Sequence, residues 1–314
     1  MSKSLGQYVL EGEIITPCGM NLDISTAVAK ADLDRFTQRE VEEMTEHFLC
    51  ANIEFLEQTD WFERCSELLL AMLESLFQKL PRSLHTIPVV IGVPESIEAV
   101  KLQDWLDETP FASKISYCEV LHDSGARVLK RALTLLDNYD ALICISIDSL
   151  VNELEKWAEQ GMVLSNELPW GIIPSEGSAG LILCRHNTLE TLKLTPKSKI
   201  TYFDLELDTT DRRGMYRLVQ RASKRLAHLG AVFSDMTSLR SHTEDYGYVL
   251  GAKAKKFTHP QQPLLINELW GTMGRCSLLA LMVYAAYYSD IEQPSILLSF
   301  DVDGDKALMQ MQNK

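Results

Sequence analysis

Short runs of aliphatic and β-branched residues recur along the chain and are typical of buried strands. Runs such as ALICISI contain almost no polar residue, as expected where both faces of a sheet are covered. Between these runs, apolar residues recur every three to four positions, which is the period of an amphipathic helix. This pattern predicts strands over residues 8–15, 87–93, 140–147, 179–184, 201–207, 231–234, 294–300 and 306–310, and helices over 96–107, 124–136, 148–160, 211–229, 241–256 and 271–289.

The alternation of strands and helices predicts α/β layering with largely parallel sheets. Both halves end in two strands with no long helix between them, which suggests a duplicated unit although the halves share no obvious sequence similarity. We place the boundary so that residues 1–190 form one half and residues 191–314 the other. Residues 38–82 interrupt the first half and, with the run CSELLLAMLESLF, are predicted to be a helical insertion.

Composition and charge narrow the class of protein. Of 314 residues, 46% are hydrophobic, which is enough to build a sizeable core and argues against disorder. The 44 acidic and 30 basic residues give a formal charge of −14, and no dense Lys/Arg run is present. Nucleic-acid binding is therefore not expected, because it requires a basic patch.

Seven cysteines lie mostly within apolar runs, without a CxxC motif or paired Cys/His spacing, so we expect reduced, mostly buried thiols and no metal site. No phosphate-binding glycine motif occurs, and we expect no cofactor. The acidic segment DVDGD is interpreted as a β-turn, since it lacks the remaining ligands of a calcium loop. Neither a signal peptide nor a membrane-spanning run is predicted, so we expect a cytoplasmic protein with no membrane association.

The most specific motif is WGIIPSEGSAGLIL, over Trp170 to Leu183. It predicts a tight turn that leads into a buried strand, with Glu176 available to hydrogen-bond neighbouring backbone. The segment resembles the G-F-x-P-G-E-G-A-x-x-x-V-L motif of β-ketoacyl synthases. Pro174, Glu176 and Gly177 match that motif, and Ser175 stands where the family prefers Gly.

Further segments resemble the same family in the same order, and together they cover most of residues 87–311. They are HDSGARVLKRALTLL, LLDNYDALICISIDSL, NELWGTMGRCSLLALMVYAA and LLSFDVDGDKAL. The resemblance implies a thiolase-like fold, with two βαβαβ-type halves in αβαβα layers. Residues 124–137 and 271–289 would be the two buried central helices, and the family's usual assembly implies a two-fold homodimer.

The resemblance also shows which family positions have changed. A ketosynthase uses a Cys thiolate at a helix start and two His, or His and Asn, to bind the thioester oxygen. In this sequence the Cys position corresponds to His122, the first His position to Asp235 and the second to Gly271. The resemblance therefore implies that no catalytic residue is retained.

A catalytic interpretation would have to use nearby residues, of which Cys118, His122 and His242 are the candidates. We expect Cys118 to be a buried thiol in a strand and His242 to lie on a helix surface. A shared active site built from these three residues stays open at this point.

The segments Trp270 to Ser277 and Asp235 to Arg240 resemble ketosynthase-like proteins that we associate with bacterial type VI secretion effector clusters. This resemblance implies a non-catalytic adaptor or accessory factor in effector loading, whose protein partner is a secreted effector or its carrier. The alternative is a diverged β-ketoacyl synthase or acyltransferase that acts on acyl thioesters. A third interpretation, a regulatory binder of acyl carrier protein or acyl-CoA, would need a basic entrance for phosphate, which the sequence does not show.

Overall fold

The computed structural model describes residues 6–33, 35–41, 44 and 46–314. The strands are β1 (Gln7–Ile15), β2 (Thr37–Glu40), β3 (His47–Cys50), β4 (Ile87–Gly92), β5 (Ile115–Leu121), β6 (Ala141–Ser149), β7 (Glu176–Arg185), β8 (Ser198–Glu206), β9 (Gly230–Ser234), β10 (Phe257–Thr258), β11 (Leu264–Leu265), β12 (Ser295–Phe300) and β13 (Lys306–Asn313). The α-helices are α1 (Leu22–Lys30), α2 (Trp61–Lys79), α3 (Ala99–Asp107), α4 (Gly125–Leu135), α5 (Leu154–Glu159), α6 (His186–Leu192), α7 (Gly214–Arg225), α8 (Arg240–Lys253), α9 (Asn267–Trp270) and α10 (Ser277–Tyr288).

The strands of the two halves are arranged in the same order. The first half has the order β1-β7-β6-β4-β5, and the second has β8-β13-β12-β9-β10, with β11 also paired to β9. In each half the outer three strands, β6-β4-β5 or β12-β9-β10, are parallel to one another. A single antiparallel strand, β7 or β13, lies between them and the first strand of that half. The topology is thus repeated, even though the sequences of the halves are not similar.

The two five-stranded halves are not separate sheets. Strand β1 pairs antiparallel with β8 through three residue pairs, which joins the halves into one continuous hydrogen-bonded sheet. The predicted boundary after residue 190 falls within α6, between β7 and β8, and remains a prediction.

Three hydrophobic clusters define five layers. The side chains of α4 and α10 pack in one cluster with residues from both halves of the sheet, so these helices form the central layer. Helices α2 and α3 cover the other face of the first half, and α7 and α8 cover the other face of the second half. The αβαβα layering and the positions of the two central helices confirm the predicted fold class.

Two local predictions were wrong, and one helix was not predicted. Residues 38–82 are helical only over α2, since β2 and β3 form a hairpin before it; Glu42, Glu43 and Thr45 lie outside the described residues. The predicted helix over 148–160 is reduced to a 3₁₀ turn and the short α5, because Asp148 and Ser149 still pair with β7 as the last residues of β6. Helix α1 was not predicted at all; Asn21 caps it by accepting a hydrogen bond from the Ile24 N–H.

A candidate site at the starts of the two central helices

Helix α4 begins at Gly125, and Ser124 is its N-cap. The Ser124 Oγ accepts a hydrogen bond from the Arg127 N–H and donates one to Asp305 Oδ2 across 2.6 Å. His122, which the family motif placed at the nucleophile position, therefore lies two residues before the N-cap. The residue at the helix start is a serine held by a carboxylate.

Asp305 comes from the loop between β12 and β13 and closes over this helix start. Besides Ser124, the Arg127 Nε and the backbone N–H of Asp208 donate to its carboxylate, each across 2.8 Å. Burial alone would raise the pKa of Asp305, but the hydrogen bonds from Arg127 and Ser124 outweigh it and lower this pKa. Asp305 is thus an ionised anchor and a poor general base at neutral pH.

Helix α10 begins beside α4, and Cys276 is the residue before it. The Cys276 Sγ donates to the carbonyl oxygens of Ser146 and Gly177, each across 3.2 Å, and burial raises the pKa of this thiol well above its usual value. The two helix starts pack closely, because a Cβ atom on Gly125 would lie 2.3 Å from the carbonyl oxygen of Arg275. Only glycine fits at that position.

Arg275 ties the two helix starts to strand β6. Its backbone N–H donates to Asp148 Oδ2 across 2.9 Å, and its Nη1 donates to the carbonyl oxygens of His122 and Asp123. Asp148 Oδ1 accepts from the N–H of Ser149. Burial raises the pKa of Asp148 to about 6, although the nearby Arg275 charge acts in the opposite direction.

A cleft of about 270 Å³ opens at this point, and we call it the helix-start cleft. Burial raises the pKa of Asp301, in its wall, to about 7, and the neighbouring carboxylates add to that shift. Carboxyl groups with raised pKa values in a cleft are typical of functional sites. The cleft is lined by five acidic and two basic residues, which are Glu95, Asp148, Glu153, Asp301, Asp303, Lys156 and Arg275, with Pro94, Leu150, Trp157, Gly274 and Val302.

The DVDGD segment forms part of this wall. The Gly304 N–H donates to the Asp301 carbonyl oxygen across 3.2 Å, and Gly304 has φ of 100°. This is the predicted β-turn. Within the described residues, no group of three or more His, Cys, Asp or Glu side chains is arranged to hold a metal ion.

His122 and Cys118 both lie outside the helix-start cleft. The His122 side chain is exposed, and its Nε2 lies 2.8 Å from the carbonyl oxygen of Ile97. Cys118 is in the middle of β5 and packs against the cluster beneath α2 and α3. Burial raises the pKa of Cys118 to about 11, so its thiol is protonated at neutral pH.

Asp235 and His242 both contact Phe300. The Phe300 N–H donates to Asp235 Oδ1 across 2.6 Å, and the Ser299 Oγ donates to Asp235 Oδ2 across 2.7 Å. The His242 ring lies 5.1 Å from the Phe300 ring, and its Nδ1 lies 3.0 Å from the Thr237 Oγ1. Burial raises the pKa of Asp235 and lowers that of His242 well below 6.5, which keeps the imidazole neutral. The expected surface position of His242 was wrong, because the side chain is buried.

Gly271 follows α9 with φ of 76°, and a Cβ atom there would lie 2.8 Å from the Cβ of Ser175. Steric limits thus account for glycine at this position. Glu176, in the motif that carries the family resemblance, accepts a hydrogen bond from the Ile53 N–H across 2.6 Å and pairs with Arg64. Glu176 thus accepts from backbone as predicted, but the donor lies 123 residues away in the chain and not in the turn itself.

The structure does not gather the predicted candidates into one site. Among the described residues, no hydrogen bond joins Cys118 or His122 to His242. The groups that do converge are Ser124 with Asp305, and Asp148 with Arg275. The Asp-Ser-Gly sequence before α4 carried a usable signal for Ser124, since serine before an apolar helix is a common N-cap.

Comparison with known proteins gives the fold but no closer relationship. No protein-family model matches the sequence, and no curated protein matches it either. Within the described part of the chain, every helix is too short or too polar to cross a bilayer.

Solved structures resemble the whole chain. An ishigamide ketosynthase/chain length factor has a TM-score of 0.70 at 14% identity, covering 98% of this chain and 99% of that one. A complex of a type II PKS acyl-carrier protein with its ketosynthase bound to the hexaketide gives 0.74 at 12% identity, covering 99% and 100%. A β-ketoacyl synthase from Burkholderia phymatum STM815 gives 0.69 at 11% identity, covering 98% and 99%. The chain therefore has the thiolase-like fold of ketosynthases.

Proposed function

We propose that this chain is a non-catalytic ketosynthase-like protein that acts as a protein-binding adaptor. The observation that supports this proposal most directly is the raised pKa of every cysteine thiol. Burial raises the pKa of all seven cysteines, which are Cys18, Cys50, Cys65, Cys118, Cys144, Cys184 and Cys276. The thiolate is the nucleophile in acyl transfer to cysteine, so none of these thiols is prepared to attack a thioester.

The groups at the other two family positions also have structural roles. Asp235 is occupied by the Ser299 hydroxyl and the Phe300 N–H, and Gly271 has no side chain to offer. His242 is neutral and buried between Thr237 and Phe300. This arrangement supports a fold that is kept for binding and not for condensation.

The partner that we propose is a protein. One structural neighbour was solved as a complex of an acyl-carrier protein with its ketosynthase, so this fold is known to bind a second protein. For this chain, the sequence resemblance favours a secreted effector or its carrier, in type VI secretion effector loading, and a two-fold homodimer. We further propose that the protein works in the cytoplasm.

A second candidate function is a diverged ketosynthase or acyltransferase, and one contact favours it. The Ser124 hydroxyl lies at the start of a central helix in hydrogen-bond contact with Asp305. In such a reaction, the Ser124 Oγ would attack the thioester carbonyl, an ester would form, the thiolate would leave, and the hydroxyl proton would pass to Asp305. The lowered pKa of Asp305 disfavours that last step.

Mass spectrometry of the intact chain separates the two functions. After incubation with acyl-CoA or acyl carrier protein, we expect no acyl adduct on the native chain. A stoichiometric adduct that disappears in Ser124→Ala and persists in Cys118→Ala and His122→Ala would establish the acyltransferase instead. Loss of the adduct in Cys118→Ala or His122→Ala would establish a rearranged active site at those residues.

The adaptor role itself is tested by affinity purification of the tagged chain from its native host, followed by mass spectrometry. We expect a protein partner at a fixed ratio to the chain, and the complex should re-form from the two purified proteins. A purified candidate that does not rebind the chain would count against it, and the absence of any such partner would overturn the adaptor role.

A further inference from the structure

A groove between α2 and α3, on the outer surface of the first half, is not covered by any other part of the described chain. It has a volume of about 720 Å³ and is separate from the helix-start cleft. Phe62, Leu70 and Trp105 give it an apolar floor, and Asp60, Glu63 and Glu67 line it on the α2 side. We call it the α2–α3 groove.

The spacing of residues on α2 explains why these side chains face the groove. Phe62, Glu63, Ser66, Glu67 and Leu70 recur at intervals of three or four and so lie along one side of the helix. The opposite side of α2 is packed against the sheet by residues such as Leu68, Leu69, Met72 and Leu73. The groove side is therefore free to contact another molecule.

The charge of the groove indicates what it would accept. The Asp60 carboxylate accepts the N–H of Glu63, and Glu67 accepts the side-chain amide of Gln58, but among the described residues neither they nor Glu63 pair with a lysine or arginine. Lys101 is the single cation among the described residues that line the groove, and its Nζ lies 4.0 Å from the centre of the Phe62 ring. Three carboxylates around an apolar floor favour a cationic partner with an apolar face.

A polar group in the wall of the groove also lacks a partner. The Ser66 side chain is buried and lines the groove, and its Oγ makes no hydrogen bond to any residue that the structure describes, whereas buried hydroxyls normally have a partner. This observation is independent of the charge of the groove.

We infer that the α2–α3 groove binds a basic amphipathic helix of a partner protein. A groove between two helices suits a third helix that inserts apolar side chains at every third or fourth position. Lysine and arginine on the flanks of that helix would face Glu63, Glu67 and Asp60. A second copy of this chain is disfavoured as the occupant, since each copy carries a formal charge of −14. The inference rests on the proposed adaptor function and names the class of partner.

The test uses two fluorescent peptides of about 18 residues, long enough for about five helical turns. They share one leucine and phenylalanine face and differ only in carrying lysine or glutamate on the other. Fluorescence anisotropy with the full chain should show the basic peptide binding about tenfold or more tightly than the acidic one, with the difference reduced at high salt. Equal affinities would overturn the inference.

Variants of the chain place the peptide in the groove. Leu70 is 37% exposed, so Leu70→Glu should lower the affinity for the basic peptide about tenfold or more without unfolding the chain. Ile24→Glu on α1, at 50% exposure, should leave that affinity unchanged. The double variant Glu63→Lys with Glu67→Lys should bind the basic peptide more weakly and the acidic peptide more tightly. The matched double variant Glu155→Lys with Glu159→Lys on α5 should change neither affinity. An equal effect of the two double variants would overturn the inference.

Failure of this inference can be told apart from failure of the adaptor role. If Leu70→Glu still binds the native partner with wild-type affinity, the groove is not the site, although the adaptor function stands. If instead an acyl adduct forms on the native chain, the proposed non-catalytic function is wrong, independently of the peptide affinities.

Discussion

The backbone N–H of Arg275 donates to the carboxylate of Asp148 across 2.9 Å, and it joins residues 127 positions apart in the chain. This contact holds the start of the second central helix against the end of β6. Gly274 makes the contact possible, because a Cβ atom at that position would lie 2.2 Å from Asp148 Oδ2.

Gly274→Ala should therefore destabilise the protein. Its φ of 56° disfavours a side chain, and the added methyl group would collide with Asp148. We expect the free energy of unfolding to fall by about 2 kcal/mol or more, measured by urea denaturation. As the control, a Cβ atom at Gly247 in α8 meets no atom of the described residues within 4 Å, and Gly247→Ala should stabilise the chain by up to about 1 kcal/mol. Similar effects of the two substitutions would contradict this account.

The raised pKa of Asp301 predicts a pH dependence of stability. This carboxyl has a pKa of about 7 in the folded chain and of about 3.9 in an unfolded one. Its contribution to stability is thus fully present below about pH 4 and is lost as the pH rises through 7. Asn at position 301 does not titrate and can still accept the Asp303 N–H.

We therefore expect Asp301→Asn to gain stability relative to the native chain as the pH rises from about 4 to about 8. Urea denaturation of both proteins across that range measures the difference. Asp137→Asn, at an exposed position just beyond the end of α4, serves as the control for removal of a surface carboxyl. A difference between Asp301→Asn and the native chain that does not change with pH would contradict the raised pKa.

The thiols should be largely unreactive in the folded protein. Six of the seven are buried, and only Cys118 is partly exposed. Titration with a thiol reagent at neutral pH should modify at most Cys118 before unfolding, and all seven after it. Cys118→Ser should abolish the native-state reaction. Rapid modification of a second cysteine would show that a thiolate has been overlooked.

The predicted homodimer can be tested at β5. In the described structure this strand pairs only with β4, so its other edge is unpaired. If two copies pair antiparallel around the middle of Ile115–Leu121, their Cys118 residues meet. Light scattering should then give twice the chain mass of 35.5 kDa, and mild oxidation should cross-link the native chain but not Cys118→Ser.

The edge of β5 also provides a substitution that separates assembly from folding. Tyr117→Lys adds a charge at the edge of β5 and should give the monomer. Tyr248→Lys on α8 should leave the dimer intact, because Tyr248 is exposed like Tyr117 but lies away from that edge. A mass near 35.5 kDa for the native chain over a wide concentration range would rule out the dimer.

The layered fold could be predicted because its strands are buried on both faces and its helices carry a regular apolar period. The buried face of α8 could not be predicted from the sequence. His242, Asp245, Tyr246 and Val249 have the spacing of a buried helix face, but His242 and Asp245 are polar, and His242 was expected on the helix surface. Asp245 is buried because it accepts the N–H groups of Met215 and Tyr216 at the start of α7, a contact between distant segments that no local pattern encodes.

The candidate site was only partly predictable for the same reason. Motif spacing placed His122 at the family's nucleophile position. The helix itself starts at Gly125, which depends on the cap formed by Ser124 and on Asp305, 181 residues after Ser124. The hairpin of β2 and β3 was missed because strand β2, with the sequence TQRE, has no apolar residue to mark it as a strand.

Strand β1 has a consequence for how the protein is made. Gln7 pairs with Arg185 on one side and with Ile200 on the other, so its two neighbours exist only after 178 and 193 further residues have been translated. At a synthesis rate of 5–20 residues per second, this first apolar strand waits roughly 10 to 40 s for its partners. During that interval β1 lacks both of its neighbouring strands, and we expect a ribosome-associated chaperone to bind it. Cells depleted of such chaperones should then accumulate this protein as aggregates formed during synthesis.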